Sequence, residues 1–233
     1  MDWLLSWANR FNSAVPVPAR SAEARHKVLI VDAHPQATGY ARALAAAAAE
    51  GCAEAGHEVR RVSLYSYGGE DPAAAAGLSA KLSAREHREY HGGAQAAALA
   101  DPSVATAVAA LRWCDSLVFV YPTWWFNTPA AVKGFVDRAF LPGVAFALED
   151  GGTLKPLLTN IRRVAGVSTY GAPQAVVAAA GDNGRTMISH ALRPMFAPSC
   201  TLRWLGLYEM DTQQRPALEA HVAEVRRTFR DEF

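Results

Sequence analysis

Apolar positions along this chain fall into two patterns. Residues 28–33 and 116–121 are short, nearly unbroken apolar runs, and 161–168 carry an apolar stretch behind Arg162-Arg163, as expected of strands buried on both faces. Residues 57–64 alternate roughly, and 201–207 make a fifth strand. Helix-length segments lie between them. Residues 40–55 are alanine-rich and stop at Gly56, a residue that suits the position just past a helix end. Residues 79–90 form a charged helix stopped by Gly92-Gly93, after a Gly/Ala-rich loop over 67–78. Residues 102–113 follow Asp101 as a cap with Pro102 in the first turn, and 129–140 open on Pro129 in the same role. Further helices are expected over 184–195 and 216–229. Strands alternating with helices predict an α/β fold: a doubly wound, five-stranded parallel sheet with right-handed crossovers and helices on both faces.

The first 26 residues stand apart from this alternation. Trp3, Leu4, Trp7 and Phe11 recur at helical spacing behind Asp2, and Val15-Pro16-Val17-Pro18 reads as an extended tether. The segment lacks a basic n-region and a small-residue cleavage site, so it does not read as a signal peptide. With Arg10 its one basic residue, the helix suits packing on protein better than on a membrane. The chain thus divides into an N-terminal amphipathic helix and tether over 1–26 and a body over 27–233. At 233 residues the chain is long enough for one well-buried α/β domain. A net charge of +1 gives no footing for nucleic acid. Cys52, Cys114 and Cys200 are widely spaced, with no CxxC and no metal-ligand cluster, which fits the reducing cytoplasm and small core residues. No apolar run approaches the ~20 residues of a membrane span.

Candidate chemistry gathers where strands end. After the strand over 116–121 the chain stops at Pro122 and runs through Thr123, Trp124, Trp125 and Phe126 to Pro129. Open α/β sheets take ligands at the carboxyl ends of their strands, and crowded aromatics there suit a flat aromatic cofactor. Tryptophans that merely fill a core or a subunit interface are the alternative. The loop after the first strand, Ala33-His34-Pro35-Gln36-Ala37-Thr38-Gly39-Tyr40, runs straight into a helix. Thr38 is its expected N-cap, and the amides of Gly39, Tyr40 and Ala41 would face an anion. His34 either bonds that anion or fixes the turn. Neither GxxxxGK[ST] nor GxGxxG is present, so an ATPase loop and a Rossmann dinucleotide site are unsupported. A third loop, Thr169-Tyr170-Gly171-Ala172-Pro173, carries a glycine that lets backbone approach a ligand.

These residues carry a resemblance. Ala33-His34-Pro35 with Thr38-Gly39-Tyr40, Tyr121-Pro122 with Trp124-Trp125-Phe126 and Pro129-Ala130, and Lys133-Gly134-Phe135 with Asp137-Arg138 resemble the flavodoxin-like NAD(P)H:quinone reductase family. The likeness runs from about residue 27 to 208 and is most specific over 119–140; residues 82–90 are similar to its bacterial branch. It implies a flavodoxin-like fold and a noncovalent FMN or FAD. His34, Thr38, Gly39 and Tyr40 would take the phosphate end. Pro122, Thr123, Trp124, Trp125 and Phe126 would wall the isoalloxazine, and Ser168, Thr169, Tyr170 and Gly171 would meet its pyrimidine side. It also implies NAD(P)H as electron donor, a quinone or similar small electrophile as acceptor, and a homodimer whose partner completes the pocket. No side chain is assigned as catalytic, because the flavin is itself the hydride acceptor and donor. Lys133-Gly134-Phe135 and Asp137-Arg138 are expected to serve helix packing and surface pairing. The chain departs from the family where relatives carry Ser and Asn, having Gly39 and Ala41. It also lacks, over 173–183, the Tyr and His that assist hydride transfer in DT-diaphorase-like members. Two other classes share this fold. One is an ancillary flavoprotein subunit of a potassium-efflux transporter, docked through the N-terminal helix. The other is a one-electron carrier, which the near-neutral charge and apolar Trp-Trp-Phe turn disfavour.

Overall fold

The computed structural model describes residues 25–65, 77–90, 98–149 and 152–233. The expected N-terminal helix and tether, most of the 67–78 loop, and Gly92-Gly93 lie outside these residues. The element order is β1 (Lys27–Asp32), α1 (Tyr40–Glu54), β2 (Glu58–Ser63), α2 (Ala84–Glu89), α3 (Pro102–Trp113), β3 (Ser116–Pro122), α4 (Ala130–Ala139), β4 (Phe146–Leu148), β5 (Leu154–Pro156), β6 (Arg163–Thr169), α5 (Gln174–Ala179), α6 (Asn183–Thr186), β7 (Thr201–Leu207) and α7 (Arg215–Asp231). Five strands form one parallel sheet in the order β2-β1-β3-β6-β7, and β4 and β5 pair separately as a short antiparallel hairpin. This is the doubly wound, flavodoxin-like arrangement that the apolar runs predict.

Strand alternation sorts the core onto two faces. Leu29, Val31, Leu117, Phe119 and Tyr121 pack with α3 and α4 on one side; Val28, Ile30, Val118, Val120, Ala165 and Val167 pack with α1 and α7 on the other. The three cysteines are buried in these cores, which pushes their thiols up to about 12 and leaves them unreactive near neutral pH. Among the described residues no helix is long and apolar enough to cross a membrane.

The Lys133–Arg138 motif serves helix packing, and Lys133–Asp137 is a surface pair, as expected, but Arg138 pairs in the interior. A Cβ on Gly134 would sit 2.2 Å from the Ala80 Cα, so only glycine lets segment 79–83 cross α4 at that height. Arg138, 3 % exposed, donates to Glu86 at 2.8 Å, to Asp101 at 2.8 Å and to the Ser79 carbonyl at 3.1 Å. Ser83 and Glu86 form a reciprocal capping box, so the charged helix expected over 79–90 begins only at Ala84.

One further expectation needs correction, and two elements went unforeseen. The helix over 184–195 is not continuous: after α6, Met187–Leu192 widens to a π-helix and Arg193–Met195 tightens to a 3-10 turn at Pro194. The stretch after Pro173 holds the short helix α5, and β4–β5 was unforeseen because three-residue strands carry too few positions to show a period.

Candidate functional site

The loop after β1 is shaped by a bare residue. Gly39, with φ −174°, caps α1 without any side-chain bond, and its carbonyl accepts the amides of Arg42 and Ala43 at 3.0 and 3.1 Å. Thr38 is therefore not the N-cap: the helix starts one residue later than expected, and Thr38 is an exposed loop residue. The His34 ring lies flat against Gly39, where a Cβ would come within 2.8 Å of Cε1. His34 Nδ1 lies 3.2 Å from both the Gln36 amide and the Gln36 carbonyl, so the ring fixes the turn in either tautomer. Tyr40 donates its hydroxyl to the Leu218 carbonyl at 2.8 Å, and burial pushes its pKa up to about 12. An anion arriving here would meet the first-turn amides of α1 and the His34 edge, while the Tyr40 hydroxyl is spent on α7.

Beside this loop, Asp32 ends β1 at 2 % exposure. Its carboxylate accepts from Arg42 at 2.8 Å, Arg61 at 3.2 Å and Ser63 at 3.0 Å. Two guanidiniums against one carboxylate leave the root of the loop net positive. Strand periodicity gave no hint of this, because the partners come from α1 and β2.

The aromatic segment after β3 is a two-residue turn. Trp124 and Asn127 exchange both backbone bonds at 3.0 Å, with Trp125 at φ 51° and Phe126 at φ 56° between them. Successive left-handed residues are the mark of a type I′ turn, which favours Asn and Gly and costs a bulky residue about 1–2 kcal/mol. Its anchors are visible: the Thr123 amide donates to the Thr169 carbonyl at 2.8 Å, and the Asn183 amide donates to the Phe126 carbonyl at 3.0 Å. Trp125 is 95 % exposed and Trp124 44 %, so neither fills the core. Strain kept at an exposed aromatic tip points to use of that tip.

The third loop is braced from behind. Ser168, fully buried, donates to the Tyr121 carbonyl at 2.9 Å and shares a 2.8 Å bond with the Thr123 hydroxyl, joining β6 to the aromatic segment. Thr169 is buried at the end of the ladder opposite Pro122. Tyr170 stacks on Tyr208 at 4.6 Å, donates its hydroxyl to Asp182 at 3.1 Å and accepts from Trp204 Nε1 at 3.0 Å. Burial first, then the neighbouring Asp182 carboxylate, holds the Tyr170 phenol well above its ordinary range, so it stays a neutral donor.

Thr123, Trp125, Phe126, Tyr170, Gly171, Ala172 and Val177 enclose an open cleft of about 270 Å³. Five of these were singled out from the sequence; Ala172 and Val177 were not, although Pro173 ahead of an Ala/Val-rich stretch signals the helix that carries Val177. Pro122, Trp124, Ser168 and Thr169 sit behind or beside the cleft, and His34, Thr38, Gly39 and Tyr40 occupy the next strand end along the sheet edge. The set fits a flavin: aromatic and small side chains form the walls of the cleft, and uncapped first-turn amides stand one strand away for a phosphate. Among the described residues no group of His, Cys, Asp and Glu is placed to hold a metal.

Comparison with known proteins bears on the fold. A family model described as "Flavodoxin-like fold" matches residues 26–230. The ribosyldihydronicotinamide dehydrogenase-like protein of Penicillium crustosum is 34 % identical over 126 residues, covering 52 % of this chain and 46 % of that protein. NAD(P)H dehydrogenase [quinone] 1 of Cavia porcellus is 27 % identical over 154 residues, covering 64 % of this chain and 54 % of its own length. The chain thus matches about half the length of these curated relatives. In fold it is similar to an FMN-dependent NADH-azoreductase from Bacillus anthracis, solved in complex with FMN, with a TM-score of 0.67, 13 % identity, and coverage of 88 % of this chain and 97 % of the other. Matched over residues 26–230, nearly all of its sheet and helices, the chain belongs to the family described as having the flavodoxin-like fold.

Proposed function

We propose that this protein is a flavin-dependent NAD(P)H oxidoreductase that passes two electrons, as hydride, to a quinone or similar small electrophile. The observation that carries the reading is the cleft between the left-handed Trp125–Phe126 turn and the Tyr170–Gly171 loop, open to solvent at the carboxyl edge of the sheet. FMN or FAD, bound noncovalently, would supply hydride acceptance and donation. The chain's own work is placement. The first-turn amides of α1 and His34 hold the phosphate end. Backbone groups of Thr123–Phe126 and Gly171 orient the ring edge, and amides there lower the energy of the negative charge that reduction brings. Tyr170, kept neutral and locked by Asp182 and Trp204, fixes one wall, and Trp125 shields the exposed face from water. Donor and acceptor would use that face in turn.

Two further parts belong to this reading. A second copy of the chain would cover the exposed Trp125 and complete the pocket, and residues 1–26 would be an appendage to the flavin-binding body. The start of the family match at residue 26 supports that boundary. The test is anaerobic stopped-flow mixing of flavin-loaded protein with NADH or NADPH, followed by a quinone. Flavin absorbance should bleach and then return. Bound flavin that neither nucleotide bleaches would refute the assignment.

A further inference from the structure

The cleft has a neighbour. Val177, on α5, also lines a second cavity of about 300 Å³, bounded by Gln174, Asp182, Arg185, Ser189, His190 and Tyr208. The two spaces therefore adjoin along one short helix.

The polar groups around this second cavity are ordered by the fold. The Arg185 guanidinium lies over the Trp204 ring at 5.7 Å and lines the cavity together with Tyr208, yet makes no ion pair among the described residues. An arginine set against an aromatic face keeps its charge and offers a planar fork of donors, the state suited to receiving an anion. The nearest carboxylate in the lining, Asp182, is engaged by Tyr170. Ser189 donates its hydroxyl to the Arg185 carbonyl at 2.8 Å, so its 2.8 Å contact with His190 Nδ1 is one in which the histidine donates. The exposed Nε2 is then an acceptor when the ring is neutral and a donor when it is protonated, suited to a sugar hydroxyl or a phosphate oxygen. Ser189 and His190 stand on the π-helical stretch Met187–Leu192, an uncommon local form found mostly at functional sites.

We infer that this cavity binds the phosphate-bearing end of the pyridine-nucleotide donor while the nicotinamide occupies the aromatic cleft, Arg185 meeting phosphate and His190 the ribose or phosphate. The inference rests on the donor role proposed above. It makes the protein selective for phosphorylated dinucleotides over a bare ribosyl dihydronicotinamide, the donor class named for one relative.

The experiment compares NADPH, NADH and ribosyldihydronicotinamide as donors to flavin-loaded wild type, Arg185→Gln and Arg185→Lys, and measures NADP+ binding by calorimetry. For Arg185→Gln, the ratio of KM for each dinucleotide to KM for ribosyldihydronicotinamide should rise about tenfold or more, the scale of one lost charge-assisted bond. Arg185→Lys should recover part of it, and NADP+ affinity should fall in parallel, with or without flavin. An unchanged ratio in an active enzyme overturns the subsite. So does an equal rise for all three donors, which would mean that the substitution distorts the cleft itself. Bound flavin that no donor reduces in wild type refutes instead the donor role on which the inference stands.

Discussion

Replacing Trp125 with glycine should raise the stability of the flavin-free protein while weakening its hold on flavin. Trp125 sits at φ 51° with its side chain 95 % exposed, so deleting the indole removes almost no buried area. Relief of the left-handed backbone is worth about 1–2 kcal/mol. Against it stands the larger freedom of glycine in the unfolded chain, about 0.4–1 kcal/mol. The net gain spans about 0–1.6 kcal/mol and centres on about 0.8 kcal/mol, a rise in Tm of roughly 2–3 °C for a chain of this size. In the flavin complex the sign reverses, because lost stacking costs about 0.5–1.5 kcal/mol, a two- to twelvefold weaker Kd. Thermal melts by circular dichroism on flavin-free protein, beside fluorescence titration with FMN, separate the two effects. A flavin-free variant that melts several degrees below wild type would show that the indole packs against the body and that the turn is not strained for function.

Other substitutions test the surrounding scaffold. Arg138→Gln should cost about 3–5 kcal/mol, since it strands the buried Glu86 carboxylate. Burial alone would raise Glu86, but bonds from Arg138 and Ser83 outweigh it, and the Arg138 bond likewise holds Asp101 low. Both carboxyls are thus depressed in the folded state, so their contribution is present above the ordinary carboxylate range and is lost as pH falls through the lowered values. The stability gap between wild type and Arg138→Gln, read by urea melts, should therefore narrow below about pH 4, and a gap that widens there would refute the pairing. Gly134→Ala improves helix propensity yet should destabilise by about 1–3 kcal/mol, because its methyl meets the Ala80 backbone; a stabilised variant would place segment 79–83 elsewhere. Gly39→Ala should displace the His34 ring and lower flavin affinity, with a smaller change in Tm; an unaltered Kd in folded protein would move the phosphate away from this loop.

Much of the architecture was legible because the informative positions carry their signals locally. β3 and β6 are buried on both faces and read as apolar runs, and Asp101-Pro102 marks the start of α3 within a residue. What depended on distant partners was not legible. Asp32 lies in an apolar strand as a charged residue, and only Arg42 and Arg61, brought in by α1 and β2, make its burial tolerable. Nothing in Trp125-Phe126 signals a left-handed pair, since both residues disfavour it; the bonds from Asn127 and Asn183 impose it. Thr38 is a good capping residue by type, but the His34 ring against Gly39 goes with a helix that starts one residue later. Arg185 and His190 were passed over because their spacing matches no motif, and it is the break at the π-helix that brings them to one cavity.

The most direct test is equilibrium titration of flavin-free protein with FMN and FAD, followed by tryptophan fluorescence and repeated on Trp125→Gly. Saturable quenching by at least one flavin, with much of the amplitude lost in the variant, is the expected result. No saturable binding of either flavin, or quenching that Trp125→Gly leaves intact, would contradict a flavin seated against the Trp125–Phe126 turn.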